Sequence, residues 1–254
     1  MAPVTVYLVT GATGGIGRET AKALARLPDS TVLVHGRSPE RTAAVAAEVG
    51  GEPFVADLSA LDGVRRLADA VLARCDRIDV LVNNAGVIFA PPETVFTVNH
   101  LAPFLLTHLL REHVTGRVVT VSSTVHRQVK TIDWDNLGTY AATKLCNILF
   151  TRALAARLDG VVANAAHPGF VNTGLGRGAS GSWKVFLLLA RPFMTAPAKG
   201  AQTPIYVASD PAVAGLTGQF FAKCKPVEPS ALARDDAAAE RLWELSERLT
   251  GVRS

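Results

Sequence analysis

The chain has no long apolar run, few cysteines and no block of like charge, and each shortage excludes a class of protein. Its longest apolar run, residues 185–190, is far too short to cross a bilayer, which takes about 20 residues. The three cysteines, Cys75, Cys146 and Cys224, stand far apart with no paired spacing. That argues against a zinc site or a disulfide framework and suits a reducing compartment. The net charge is only +4 and the basic residues are scattered, so nucleic-acid binding is not indicated. No internal repeat and no linker break the chain. No N-terminal signal pattern is seen, because the first strand starts almost at once, and a cytoplasmic location is expected. Hydrophobic residues make up 48% of the 254, too many for disorder and enough for one large α/β domain with a substantial core.

The apolar pattern alternates between strand and helix periods. Strands are expected at 4–10, 31–35, 53–56, 80–83, 117–122, 161–166 and 219–221. Helices are expected at 16–27, 39–49, 61–74, 94–112, 138–158, 198–208 and 235–249. Ser38-Pro39 is a good helix start, with Ser as cap and Pro in the first turn. This alternation implies an α/β fold, a doubly wound parallel sheet of about seven strands with helices on both faces. The one long irregular stretch, 172–195, holds several Gly and Ser before an apolar run. Loops of that length are usually functional. It follows the sixth strand, at the end of the sheet where ligands bind. A substrate lid is expected around 174–195, with Trp183, Phe186, Leu187 and Phe193 making the pocket apolar.

Four features carry chemistry. First, four of the seven residues from Gly11 to Gly17 are glycine, between a β-branched strand and an Ala/Leu-rich helix. Glycines let the backbone approach a pyrophosphate, and a helix N-terminus offers free N–H groups and a positive dipole end. Second, Asn83-Asn84-Ala85-Gly86 directly follows an apolar strand. Third, a strand ends in Ser122-Ser123. Fourth, Tyr140 and Lys144 stand four apart in a helical stretch, so they share a face. A phenol with a pKa near ~10 is a poor acid or base at neutral pH, and a nearby cation lowers that pKa. Such a pair suits carbonyl/alcohol proton transfer. The second strand ends His35-Gly36-Arg37-Ser38, with no carboxylate to accept hydrogen bonds from the adenosine ribose of NAD. Arg37 is placed to pair with a 2′-phosphate. NADP(H) is therefore the expected cofactor, with NAD possible, and a carboxylate introduced at Gly36 is expected to favour NAD.

In order and spacing these landmarks resemble the short-chain dehydrogenase/reductase family over nearly the whole chain. They are the glycine turn, Asp57, Asn83-Asn84-Ala85-Gly86, Asn99, Ser123, Tyr140/Lys144 and Pro168-Gly169 with Thr173. The turn fits two family patterns, one using Gly11, Gly15 and Gly17 and one using Gly11, Gly14 and Gly17. Chain length favours the first, the short dehydrogenases, over the longer epimerases and dehydratases.

The resemblance implies a Rossmann fold and catalytic residues Asn99, Ser123, Tyr140 and Lys144. Tyr140 would be the general acid/base, Lys144 would lower its pKa and hold the nicotinamide ribose, and Asn99 would support a proton-relay water. Ser123, with Ser122 the alternative, would bind the substrate oxygen. Cofactor contacts are implied at Gly11, Thr13, Gly14, Gly15, Ile16, Gly17, Arg37, Asp57, Leu58, Asn83, Ala85, Gly86, Tyr140, Lys144, Pro168, Gly169, Val171 and Thr173. Asp57 would contact adenine, and it is also a candidate helix cap. His167 reads as structural, and the other histidines as helix or surface residues.

Within the family, Asn99-His100-Leu101, Phe104-Leu105-Leu106-Thr107, Lys144-Leu145, Gly200-Ala201-Gln202-Thr203 and Leu242-Trp243-Glu244-Leu245-Ser246 resemble the retinol-dehydrogenase-like branch. Ala102-Pro103 departs from it, the segment 88–96 is shorter, and its N-terminal membrane-anchoring segment is missing. A soluble relative is expected, acting on a small-molecule alcohol, ketone or aldehyde, as a homodimer or homotetramer. An epimerase-type enzyme on the same fold and a non-catalytic NADP-binding regulator are the alternative readings. Intact Tyr140 and Lys144 speak against the regulator.

Overall fold

The computed structural model describes residues 4–171 and 194–253. Thr173 and the expected lid at 174–195, apart from Met194 and Thr195, lie outside the described residues. In chain order the elements are β1 (Thr5–Val9), α1 (Gly15–Leu24), β2 (Ser30–Gly36), α2 (Pro39–Val49), β3 (Glu52–Val55), α3 (Leu61–Leu72) and β4 (Ile78–Asn83). They continue with α4 (Pro92–Phe96), a π-helical turn (Thr97–Leu101), α5 (Ala102–Leu110), β5 (Val114–Val121), a 3-10 turn (Thr124–Gln128) and α6 (Tyr140–Ala155). The rest are β6 (Val162–His167), α7 (Pro197–Gly200), α8 (Gln202–Ser209), β7 (Phe220–Ala222), β8 (Lys225–Pro226) and α9 (Asp236–Thr250). No helix among the described residues is long and apolar enough to cross a membrane.

The strands form one sheet in the order β3-β2-β1-β4-β5-β6-β7-β8, all parallel except the last pair. The order in which strands are added reverses between β1 and β4, which is where such sheets open a crevice. Side-chain alternation sorts the core into two layers. Leu8, Leu33, Leu81 and Val118 face one side, under α3, α5, α6 and α9. Tyr7, Val9, Val34 and Val82 face the other, under α1, α2 and α8. Continuous apolar strands are what burial on both faces demands.

Local chemistry explains most boundaries. Ser38 Oγ accepts the Arg41 N–H at 3.4 Å and starts α2, which Gly50 closes in the left-handed conformation. The helix expected from 138 begins instead at Tyr140, because the Thr139 hydroxyl caps it by accepting the Ala142 N–H at 3.2 Å. The single helix expected over 94–112 is interrupted by the π turn, where the Ala102 N–H reaches back to the Thr97 carbonyl. Pro103, one residue on, has no N–H to offer the Asn99 carbonyl four residues back, so a regular α-helical ladder cannot run through Asn99. The eighth strand was not expected. Lys223 and Cys224 turn the chain at φ 51° and 58°, a primed hairpin turn made without the Gly or Asn that usually marks one.

The C-terminal helix α9 is fastened across α5 and α6. The Trp243 ring meets Phe104 edge-on at 4.9 Å and stacks on Phe150 at 6.1 Å. Arg65 donates to the Thr250 carbonyl at 2.6 Å. Phe104 is fully buried at the centre of this contact. Phe104→Ala is expected to lower stability by about 3–5 kcal/mol, as for a large aromatic removed from a tight core, read as a fall in the urea midpoint. A loss below about 1 kcal/mol would mean that α9 repacks freely over α5.

Candidate active site

The crevice between β1 and β4 is closed by backbone meeting backbone. Gly11 has φ +65°, and a Cβ on it would lie 2.8 Å from Ala85 Cα. A Cβ on Gly17 would lie 2.4 Å from both Asn84 Nδ2 and the Gly11 carbonyl oxygen. Gly15 is left-handed at φ 55°, whereas Gly14 is fully extended at φ 179°, a conformation open to any residue. Gly11, Gly15 and Gly17 are thus the required glycines, which selects the short-dehydrogenase pattern over the alternative through Gly14. The Thr10 hydroxyl accepts the N–H groups of Asn84 and Ala85 at 2.9 and 3.1 Å. Asn84 returns its amide to the Thr10 carbonyl at 2.8 Å. The Asn83 side chain turns away into the core, where its amide donates to Thr107 at 2.9 Å.

Two braces of the turn were not anticipated. One is Asn84, whose amide bonds the Thr10 and Gly11 carbonyls. The other is His35, which is buried at the end of β2 and is not a helix or surface histidine. Its Nδ1 accepts the Gly11 N–H at 3.2 Å. The ring must therefore carry its proton on Nε2, which faces the Ala56 carbonyl at 3.2 Å. Burial pulls its pKa down to about 4. The available signal was a polar residue ending an otherwise apolar strand one position before Gly36.

The glycine turn fits a pyrophosphate. Gly14 caps α1 with no side chain, and no acidic residue stands in the first turn, so first-turn N–H groups and the positive dipole end are left for an anion. At the adenosine end Arg37 is exposed. Asp57 accepts the Ser59 N–H at 2.9 Å; that bond, with Arg37 adding to it, lowers its carboxyl pKa. Asp57 caps this turn and not helix α3, whose cap is Ala60. Leu58 points into the core, and Ile16 is buried. Gly36 has no room for a side chain. Its Cβ would lie 2.2 Å from Thr13 Cγ2 and 2.6 Å from Thr42 Oγ1, so a carboxylate there would force the turn apart.

At the other end of the crevice, Lys144, Asn99 and Gly86 converge. A Cβ on Gly86 would sit 3.3 Å from Asn99 Oδ1 and 3.8 Å from Lys144 Nζ. Asn99 is wholly buried. It accepts the Val87 N–H at 2.7 Å and donates to the Val87 carbonyl at 2.9 Å and to Thr143 Oγ1 at 3.1 Å. Lys144 Nζ donates to the Val121 carbonyl at 3.0 Å and lies 5.4 Å from the Tyr140 ring centre. The two serines separate by their bonds. Ser122 is committed to the Lys144 carbonyl at 2.7 Å, while Ser123 Oγ accepts the Val125 N–H at 3.2 Å and keeps its proton to donate.

Burial, and not the neighbouring ammonium, controls the phenol. The Tyr140 pKa is pushed up to about 12 and that of Lys144 is pulled down to about 8, both by burial. In the chain by itself burial thus outweighs the expected lowering of Tyr140 by Lys144. At the end of β6, Pro168 and left-handed Gly169 (φ 91°) turn the chain. Val171 pairs with Thr195, whose N–H donates to the Phe170 carbonyl at 2.8 Å. His167 faces Thr124 at 3.4 Å.

Comparison with known proteins places this fold in a family. The family model for short chain dehydrogenase matches residues 5–181. Human retinol dehydrogenase 14 is 38% identical, over 96% of this chain and 86% of that protein. The crystal structure of an uncharacterized protein from Mycobacterium paratuberculosis superposes with a TM-score of 0.80 at 32% identity, covering 99% of this chain and 96% of that one. A short chain dehydrogenase from Burkholderia cenocepacia, solved in complex with NADP, superposes with a TM-score of 0.71 at 26% identity, covering 85% and 95%.

The buried histidines give stability a pH dependence of defined sign. His35 and His100 stay neutral in the fold, with pKa values of about 4 and about 3, whereas an unfolded histidine protonates near ~6.5. Below that pH the unfolded chain binds more protons, so stability falls as pH drops from about 6.5 towards 4. Melting temperature measured across that window should decrease steadily. His35→Asn, whose amide oxygen can still accept the Gly11 N–H but does not titrate, should show a shallower slope. An equal slope would mean that His35 does not titrate on unfolding.

Proposed function

The chain belongs to the short-chain dehydrogenase family, and from that premise we propose that it is an NADP(H)-dependent enzyme interconverting an alcohol and a carbonyl on a small to medium apolar substrate. The family and the retinol dehydrogenase relatives make it an alcohol/carbonyl oxidoreductase that uses a nicotinamide cofactor. The observation that carries the finer reading is the buried meeting of Lys144, Asn99 and the Gly86 backbone beside Tyr140.

Each residue then has a task. The glycine turn and the α1 N-terminus hold the pyrophosphate. Arg37, exposed directly after β2, pairs with the 2′-phosphate. Lys144 and Tyr140 hold the nicotinamide ribose. When bound, the nicotinamide supplies or accepts the hydride. Tyr140, with its pKa raised to about 12, is protonated at neutral pH and is set to deliver that proton to a carbonyl oxygen. The reverse reaction needs the phenolate, so alcohol oxidation gains with rising pH. Ser123 donates a hydrogen bond to the same substrate oxygen. Asn99 clamps the Gly86–Val87 backbone to α6 through Thr143, and its carbonyl, denied a helical donor by Pro103, is the acceptor for a relay water. The apolar substrate is supported by Phe170, 53% exposed beside the Pro168-Gly169 turn, and by the likeness to retinol dehydrogenase 14.

Two measurements test this reading. Tyr140→Phe removes one proton and no packing, so turnover of an accepted carbonyl compound should fall by about 10²–10⁴ while NADPH still binds, as read by fluorescence. Near-normal turnover would refute the assigned acid. Arg37→Ala should lower the kcat/KM preference for NADPH over NADH. A charge-assisted hydrogen bond contributes about 1.5–3 kcal/mol, which is roughly ten- to a hundredfold. An unchanged ratio at low salt would make Arg37 an ordinary surface residue.

A further inference from the structure

A buried polar chain links the C-terminal helix to the active-site lysine, and we propose that His100 is a positioning residue that holds Lys144 through Asn147 and the Val121 carbonyl. The inference rests on the reading of Lys144 as part of the reaction machinery. It starts from two orphans. His100 Nδ1 and Asn147 Oδ1 are both buried and neither has a hydrogen-bond partner in ordinary geometry. Unpaired buried groups of this kind are rare and need an account. The two belong to the same contact, since Asn147 is the group that favours the protonated His100 ring against its burial.

The proton assignment that satisfies both orphans also connects the network. His100 Nε2 lies 2.8 Å from Ser246 Oγ on α9. If the ring is protonated on Nδ1, that N–H donates to Asn147 Oδ1, and the Ser246 hydroxyl donates to Nε2. Ser246 gives up its 2.7 Å bond to the Leu242 carbonyl, which lies within the same helix and keeps the helical ladder. Asn147 Nδ2 donates to the Val121 carbonyl at 3.2 Å, and Lys144 Nζ donates to that same oxygen at 3.0 Å. One carbonyl therefore receives the lysine from one side and the chain from α9 on the other. The rings of Phe96, Phe104 and Phe150 surround His100, so no water competes and the direction of the network is set by the ring alone. The π turn makes this possible. It carries Asn99 towards Val87 and Thr143 and His100 towards α9 from adjacent positions.

The consequence is that Lys144 is held on its carbonyl by a contact that begins on α9. Loosening the chain lets the ammonium move towards water, so its pKa should rise from about 8 towards the ordinary lysine value near ~10.4. The test is the Lys144 Nζ pKa measured by nitrogen NMR on cofactor-free protein. His100→Leu should raise it by at least about half a unit, the size of shift that loss of one neutral hydrogen bond implies. His100→Asn, which keeps an amide where Nδ1 stands, should restore most of the parent value. Leu110→Val, a core change in α5 remote from the chain, should lower stability and leave the pKa alone. An unmoved pKa in folded His100→Leu, or the same shift in Leu110→Val, overturns the proposal. If His100→Leu does not fold, Asn147→Ser decides: a raised value supports the linkage and an unchanged value ends it. The readout needs no turnover. Its failure leaves the proposed reaction standing, and an active Tyr140→Phe would leave this linkage standing.

Discussion

The active site depends on how closely two backbones approach at the switch point of the sheet. The loop after β1 and the loop after β4 touch through Gly11 and Ala85, at a distance that excludes a Cβ. From this contact the other placements follow. Thr10 can reach the Asn84 and Ala85 amides only because the loops meet. Asn84 can then reach the Gly11 carbonyl, and Gly17 must be bare because that carbonyl and the Asn84 amide fill its side-chain space. The result is a helix N-terminus aimed into the crevice with its donors free, and beside it a loop that brings Gly86 against Lys144 and Asn99. The sites proposed for anion binding and for proton transfer are two ends of one packed junction.

Desolvation controls the electrostatics of this junction. The ion pairs of the described residues sit at the surface, as in Arg74–Glu52 and Arg234–Glu228, where they contribute little. At the junction the ionisable groups rest on neutral partners: Lys144 on a backbone carbonyl, the Tyr140 phenol beside it, and histidines bound to backbone and hydroxyl groups. Burial raises the phenol to about 12 and lowers the ammonium to about 8, which parts the two and makes the ammonium the stronger acid. A phenol that keeps its proton at neutral pH is in the form that carbonyl reduction requires. The histidines serve as rigid donors and acceptors. His35 ties the glycine turn to β2 and β3, and His126 ties the Ser123 carbonyl to the Ser230 amide.

The π turn and helix α9 form a second support behind the site. Pro103 breaks the helical ladder at Asn99, and the wider turn lets neighbouring side chains serve different elements, Asn99 the loop after β4 and His100 the helix α9. Helix α9 covers that region with Trp243 and Leu242, so residues near the C-terminus pack against the element that carries Tyr140 and Lys144.

The sequence by itself determined the α/β alternation, the order of the motifs, the family and the candidate Tyr–Lys pair. These are local signals: strand and helix periods, a glycine cluster between them and two side chains one helical turn apart, each legible within a few residues. The caps at Ser38 and Thr139 and the long reach of the sheet follow from the same kind of information, and element ends moved by only a few residues where a capping hydroxyl decided them. What the tertiary structure alone decided depends on contacts between distant segments. Which glycines are required was ambiguous in the string Gly11 to Gly17 and was resolved by Ala85 and Asn84, more than 60 residues away. His35 resembled a surface histidine until Gly11 and Ala56 closed around it. The direction of the Tyr140 shift reversed because the sequence shows a cation four residues on but does not show how dry the site is. The eighth strand is not legible in the sequence because Lys223 and Cys224 adopt left-handed conformations that their side chains do not advertise, held by pairing with β7 and by the Cys224 N–H bond to Thr203 Oγ1.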